Sequence, residues 1–189
     1  MIKKFLGESW LVLVVGTGFA VLLAGAQAGF GPRIAQNKRE ALEQAVFEVV
    51  PGAEKFERLS AGARQVFRCL DAAGQLVGWA VPASGFGFQD KIELVFGLSA
   101  DTNTITGLKI LDQKETPGLG NKIEEAAWRA QFKGLDATSP GSTVKGAPKD
   151  KAHEVQAVTG ATISSTSVMK IVNQAAAEVR PKLSEPGGR

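Results

Sequence analysis

Four stretches of the chain alternate apolar and polar residues with a period of two, the signature of half-buried strands. Residues 64–70 and 76–81 flank Asp71-Ala72-Ala73-Gly74-Gln75, and residues 91–98 and 104–111 flank Ala100-Asp101-Thr102-Asn103. Each pair predicts a hairpin. Between the pairs lies Pro82-Ala83-Ser84-Gly85-Phe86-Gly87-Phe88, which predicts an inter-strand loop. Other stretches repeat with helical period. Ala41, Leu42, Ala45, Val46 and Val49 share one face of a predicted helix over 36–50, ended by Pro51-Gly52. Ile123, Ala126, Ala127 and Ala130 mark a packing face over 121–132, with Trp128 and Phe132 near its end. Val168, Ile171, Val172, Ala175, Ala176 and Val179 predict a last helix that runs to about Arg180 and stops at Pro181. Residues 53–60 are polar without a clear period, and 133–153 predict a surface loop with one short strand. Hairpins followed by helices predict an α+β fold, an antiparallel sheet of hairpins packed with helices.

Residues 9–32 carry no charge. About 20 residues at roughly 1.5 Å each cross about 30 Å of hydrocarbon. Trp10 and Phe30 stand where interfacial aromatics belong, and Gly29-Phe30-Gly31-Pro32 closes the run. One N-terminal transmembrane helix is therefore expected ahead of the α+β domain. The competing reading is a cleaved signal peptide, because Ala26-Gln27-Ala28 has the small-x-small form. The length of the apolar run favours an uncleaved anchor. Lys3 and Lys4 before the span favour an inside N-terminus, whereas Arg33, Lys38 and Arg39 after it oppose that orientation. The expected organisation is a short segment 1–8, an anchor 9–31, a connecting helix 32–60, a folded domain 61–181 and a flexible tail 182–189.

Charge and composition mainly exclude. A net charge of +3 with interspersed signs leaves no nucleic-acid footprint. The single cysteine, Cys69, rules out an internal disulfide and reads as a small buried hydrophobe. The single histidine, His153, cannot form a histidine cluster and reads as a loop residue, and there is no tyrosine. No nucleophile–base triad, metal-ligand set or matched carboxylate pair is present, so no catalytic residue is assigned. No G-x-G-x-x-G follows a strand, so a Rossmann site is not supported.

Two stretches carry candidate chemistry. Val158-Thr159-Gly160-Ala161-Thr162-Ile163-Ser164-Ser165 joins an apolar β-like segment to the last helix. Gly160 and Ala161 admit a close approach to the backbone, and Thr162 offers a hydroxyl at the first turn. There the N–H groups lack intrahelical partners and the macrodipole is positive, which suits a phosphate. A plain capped helix satisfies the same local pattern. The second stretch, Gln113-Lys114-Glu115-Thr116-Pro117-Gly118-Leu119-Gly120, leaves a strand for a helix through a turn with exposed N–H groups. By itself it is an ordinary strand-to-helix loop.

Taken together, the two stretches resemble the signatures of the FMN-binding domain family. That family includes the G subunit of the Rnf complex and the C subunit of the sodium-pumping NADH:quinone oxidoreductase. The resemblance covers about residues 75–175 and the single N-terminal span. It implies FMN bound covalently through its phosphate to Thr162, the second threonine of Thr159-Gly160-Ala161-Thr162. It also implies that Glu115, Thr116, Gly118 and Leu119 neighbour the flavin ring or its ribityl chain, with Thr159, Gly160 and Ala161 beside the attachment point. The family pattern has Asp where this chain has Gln156. Read from the sequence alone, Phe86 and Phe88 in the glycine-interleaved loop are buried turn aromatics, with proximity to a planar ring or to a partner surface as alternatives, and Trp128 reads as core rather than stacked on the flavin. Lys114 and Lys122 are candidates for stabilising a reduced, anionic flavin.

By this resemblance the chain is a membrane-anchored electron-transfer subunit of an Rnf-type ion-translocating ferredoxin:NAD oxidoreductase complex. Its soluble domain would lie on the periplasmic, outer face of the cell membrane. Its partners would be the other membrane subunits, a flavin transferase for maturation, and membrane lipid. The alternatives are a C-type subunit of the quinone-reducing complex, which is usually longer, and an adaptor subunit without flavin in which Thr162 is only a helix cap.

Overall fold

A computed structural model describes residues 2–183. The expected tail lies outside the described residues from 184 onward. The chain divides into two units between Ala41 and Leu42. α1 (Ile2–Val49) runs through Pro32; its residues to Ala41 belong to the first unit and those from Leu42 to the second. From Trp10 to Ile34 its large apolar side chains stand exposed. Among the described residues it is the one helix long and apolar enough to cross a membrane. The expected stop at Gly29-Phe30-Gly31-Pro32 is not there, nor is a separate helix over 36–50. Proline removes a single backbone donor, and the Ala, Gln, Lys, Arg, Glu and Leu residues that follow are strong helix formers.

The second unit is built on a five-stranded antiparallel meander in chain order: β1 (Lys55–Ala61), β2 (Arg64–Leu70), β3 (Leu76–Phe86), β4 (Lys91–Ser99) and β5 (Ile105–Asp112). The expected connecting helix over 32–60 therefore stops at Val49, and its last residues form β1. β1 is an edge strand, exposed at most positions, so it lacks the apolar alternation that identifies a half-buried strand. The predicted loop 82–88 is also corrected, because β3 runs on to Phe86. Past Ala80 this strand is paired to β4 alone, a setting that tolerates Pro82.

Both faces of the sheet are apolar and both are covered. Val66, Trp79, Val81, Leu94 and Phe96 belong to one core with the Val168, Ile171, Val172, Ala175 and Val179 stripe of α3 (Thr162–Leu183). Phe67, Cys69, Ala80 and Val95 belong to the other, with Ala45, Val46 and Val49 from the end of α1 and Val50 just after it. Glycines permit the closer approach. A Cβ on Gly97 would lie 2.1 Å from the Val49 carbonyl oxygen, which accepts a 2.5 Å hydrogen bond from Thr106 Oγ1. Burial drives the Cys69 thiol up to about 11, consistent with an inert core residue.

The predicted helix 121–132 is instead a 3-10 turn (Gly120–Glu124), the single turn α2 (Ala126–Arg129) and a second 3-10 turn (Ala130–Phe132). Glu125, extended at φ −60 and ψ 132, interrupts it. The loop 133–153 holds one strand, β6 (Ser142–Val144), which pairs in parallel with β7 (Glu154–Gln156). α3 continues through Pro181 to Leu183, slightly past its expected end.

His153 fastens the loop. Its Nδ1 lies 2.8 Å from Asp150 Oδ2, and its Nε2 lies 3.3 Å from Asp136 Oδ2. The hydrogen bond to Asp150 is the main cause that raises the histidine pKa above its ordinary value.

This packing can be tested at two positions. Gly97→Ala should destabilise the full chain by about 1–3 kcal/mol, read as a lower urea midpoint in detergent. An unchanged midpoint would contradict the close helix–sheet approach. For His153 the folded pKa is raised, so its stabilisation is complete below the unfolded value of about 6.5 and is lost as pH rises through the folded value. The urea midpoint should therefore decline across that window, and His153→Gln should flatten the decline. Equal slopes in the two proteins would remove the assignment.

Candidate cofactor site

Three segments meet at one end of the sheet. The first is the β3–β4 turn, closed by the Gly87 N–H donating to the Asp90 carbonyl at 2.8 Å. The second follows β5. Leu119 N–H donates to the Thr116 carbonyl at 3.2 Å, and Gly118 takes φ +78, the pattern of a type II turn with Pro117 in its preferred place. The third repeats that design ahead of α3. Ala161 N–H donates to the Val158 carbonyl at 2.9 Å, and Gly160 takes φ +83. Glycine alone adopts such angles readily.

Ser165 knots the third segment. Its buried hydroxyl donates to the Ala161 carbonyl at 2.9 Å and accepts from Val158 N–H at 3.0 Å. Behind the segment, the Trp128 indole N–H donates to the Gln156 carbonyl at 2.9 Å, while Gln156 N–H donates to Gln131 Oε1 at 2.8 Å. Trp128 is buried against Phe132 at a 5.2 Å ring separation and takes no part in lining the site.

The three segments enclose an open hollow of about 320 Å³ lined by Phe88, Thr116, Leu119, Gly120, Gly160, Ala161, Thr162, Ile163 and Ser164. Small-molecule sites run from about 300 to 1,000 Å³. Its apolar walls are unusually bare, with Phe88 63%, Leu119 46% and Ile163 57% exposed. Thr162 stands exposed at the first position of α3, where the leading N–H groups have no intrahelical acceptor.

Six of the residues singled out in the sequence thus meet around the hollow: Phe88, Thr116, Leu119, Gly160, Ala161 and Thr162. Gly118 and Thr159 occupy turn positions outside its lining. Glu115 does not line it either, because its carboxylate is buried behind the wall and engaged by three donors. Phe88 N–H and Gln89 N–H donate to Oε1 at 3.0 and 3.1 Å, and the Ser164 hydroxyl donates to Oε2. Gly120, Ile163, Ser164 and Ser165 were not assigned roles from sequence. A helical projection from Thr162 puts Ser165 one turn on, facing back to the turn. Lys114 is mostly exposed and pairs with Asp90 at 3.1 Å. That pairing helps hold the Asp90 carboxyl below its ordinary range, after the hydrogen bond from Lys91 N–H. Phe86 is 84% exposed on β3 and lies outside the lining.

The hollow brings an exposed hydroxyl and the start of α3 together with apolar walls, an arrangement suited to a flat, anionic ligand. The chain belongs to the FMN-binding domain family, whose model matches residues 87–177. It is 36% identical over 147 residues to the G subunit of the Na(+)-translocating ferredoxin:NAD(+) oxidoreductase complex of Acetobacterium woodii, covering 72% of this chain and 69% of that one. It is 29% identical over 172 residues to the G subunit of the ion-translocating oxidoreductase complex of Methanosarcina acetivorans, covering 87% and 88%. The fold is shared with the crystal structure of the C subunit of the Na(+)-translocating NADH-quinone reductase from Parabacteroides distasonis. That match has a TM-score of 0.64 and 19% identity, and covers 81% of this chain and 98% of that one.

The Ser165 knot makes its own prediction. Ser165→Ala leaves Val158 N–H without its acceptor and should destabilise the full chain by about 1–3 kcal/mol. Thermal unfolding in detergent measures it, and an unchanged transition would show that the hydroxyl is not needed there.

Proposed function

We propose that this chain is a membrane-anchored electron-transfer subunit of an ion-translocating ferredoxin:NAD oxidoreductase complex, carrying FMN joined through its phosphate to Thr162 Oγ. The observation that carries the reading is the exposed Thr162 hydroxyl at the start of α3, inside a hollow whose other walls come from the second signature loop and from Phe88 of the β3–β4 turn. When bound, FMN supplies one- and two-electron redox chemistry.

The chain's own residues bind and orient. The Thr162, Ile163 and Ser164 N–H groups and the α3 dipole favour an anionic phosphodiester at that place. Gly160 keeps the turn narrow, and Leu119, Ile163 and Phe88 offer apolar surface that excludes water from a planar ring. No side chain here needs to act as acid or base. Attachment by phosphate leaves a ring unsubstituted by the protein, so only its neighbours tune it.

The exposed apolar length of α1 supports an anchor, and the names of the relatives support membrane-complex partners. On this reading the domain works on the outer face of the membrane, after a flavin transferase has modified it. The ferredoxin:NAD assembly is preferred over the quinone-reducing one. The sequence relatives that this chain largely spans are G subunits, whereas the likeness to the C subunit from Parabacteroides distasonis is one of fold.

The test is in-gel fluorescence under ultraviolet light after full denaturation, together with intact mass, on protein co-expressed with a flavin transferase. Wild type should fluoresce and gain the mass of FMN less one water. Thr162→Val should be dark yet folded, because an exposed substitution changes stability by only about 0.5 kcal/mol or less. A fluorescent Thr162→Val band, or a dark wild type beside a working transferase control, would defeat the reading. The dark result would favour an adaptor without flavin.

A further inference from the structure

Among the described residues Glu115 is the only charged side chain the fold buries, at 4% exposure. A carboxylate out of water is expensive unless donors replace its hydration. Here the donors are specific. Oε1 takes the backbone N–H groups of Phe88 and Gln89, and Oε2 takes the Ser164 hydroxyl. Space for it is made by two glycines. A Cβ on Gly87 would lie 2.2 Å from Oε1, and one on Gly120 would lie 2.7 Å from Glu115 Cβ.

The donors belong to the elements that form the hollow. Phe88 is one wall, Ser164 sits two positions after Thr162, and the chain leaving Glu115 supplies Thr116, Leu119 and Gly120. A packing residue would need no charge, and a ligand-binding carboxylate would face the hollow. Glu115 does neither. Charge-assisted bonds from both neighbouring segments to one side chain fix those segments relative to each other.

We propose that Glu115 is the positioning residue of the attachment site, holding the Phe88 wall and the first turn of α3 in one arrangement around Thr162. This rests on the flavin reading above for its purpose, and on the three hydrogen bonds for its action. The carboxylate acts through Phe88 and Ser164 and touches neither Thr162 nor the interior of the hollow.

The experiment has two arms on the full chain in detergent. The first uses flavin-free protein and hydrogen exchange at the Phe88 and Gln89 amides. Glu115→Ala should speed exchange there by about tenfold or more, the scale of a lost charge-assisted bond. Glu115→Gln keeps one acceptor oxygen and should recover much of the protection. The second arm uses transferase-treated protein and reads the visible circular dichroism and fluorescence anisotropy of the attached flavin. Both should fall in Glu115→Ala and in Ser164→Ala, with Glu115→Gln closer to wild type. Should Glu115→Ala not fold, Ser164→Ala decides the matter, because it removes only the bond to Oε2. Unchanged amide exchange in folded Glu115→Ala, or unchanged flavin signals in folded Ser164→Ala, would overturn the proposal. A wild type that takes no flavin defeats the functional reading instead, and the amide arm still decides the role of Glu115.

Discussion

A sheet of five hairpin-linked strands has two apolar faces, and each must be kept from water. In this protein α3, with the 120–135 segment beside it, covers one face and the last turns of α1 cover the other. The rest of the second unit depends on that double cover. α3 cannot shift along the sheet without pulling Val168, Ile171, Val172 and Val179 out of their core, so its first turn is held where it is. The turn that feeds it, Val158 to Ala161, then has to meet the loop that leaves β5 and the turn that joins β3 to β4. The site is assembled by packing some way from the site, and the site's own residues are free to be small, polar or exposed.

That division explains the mixture of residue types around the hollow. Gly118 and Gly160 are set by backbone angles near +80, and Gly87 and Gly120 by the approach of Glu115. Ser165 and Glu115 are buried polar groups with their partners supplied. Phe88, Leu119 and Ile163 are the reverse, apolar groups left in water. Exposed apolar walls beside an unpaired helix start are unfavourable in the isolated chain. They become favourable when an anionic, flat ligand covers both at once.

The sequence carried much of this in readable form, and the unread parts share a cause. β2, β4 and β5 show alternation because one face of each joins the core built with α3 and the 120–135 segment and the residues between have a different neighbour. α3 shows its stripe because one face alone is buried. β1 was not readable, since this edge strand is exposed at most positions and turns only Phe56 and Ala61 to the cores. The extension of β3 to Phe86 was hidden by Pro82, permitted because a paired neighbour is missing on one side, and by Gly85, where a Cβ would lie 2.7 Å from Ile171 Cγ1. The helix expected over 121–132 breaks at Glu125 through a backbone angle that no residue type there announces. Within the site, Thr162 and the glycines were visible because a helix start and a left-handed turn have local signatures. The orientation of Glu115 was not, because its donors are 26, 27 and 49 residues away in sequence.

Long-range polar contacts of this kind also bear on how rigid a carrier of electrons should be. On the proposed reading, electron transfer needs a ring edge at a reproducible distance from its partner, whereas a single phosphate ester to Thr162 would by itself leave several rotatable bonds. Rigidity must then come from the walls. Phe88 and the α3 start belong to different elements with no backbone pairing between them, and the Glu115 carboxylate joins them. Replacing it by an apolar side chain could preserve the fold's core, which lies elsewhere on the sheet face. It would leave two backbone donors and a hydroxyl without partners, and the two walls would be free to move apart.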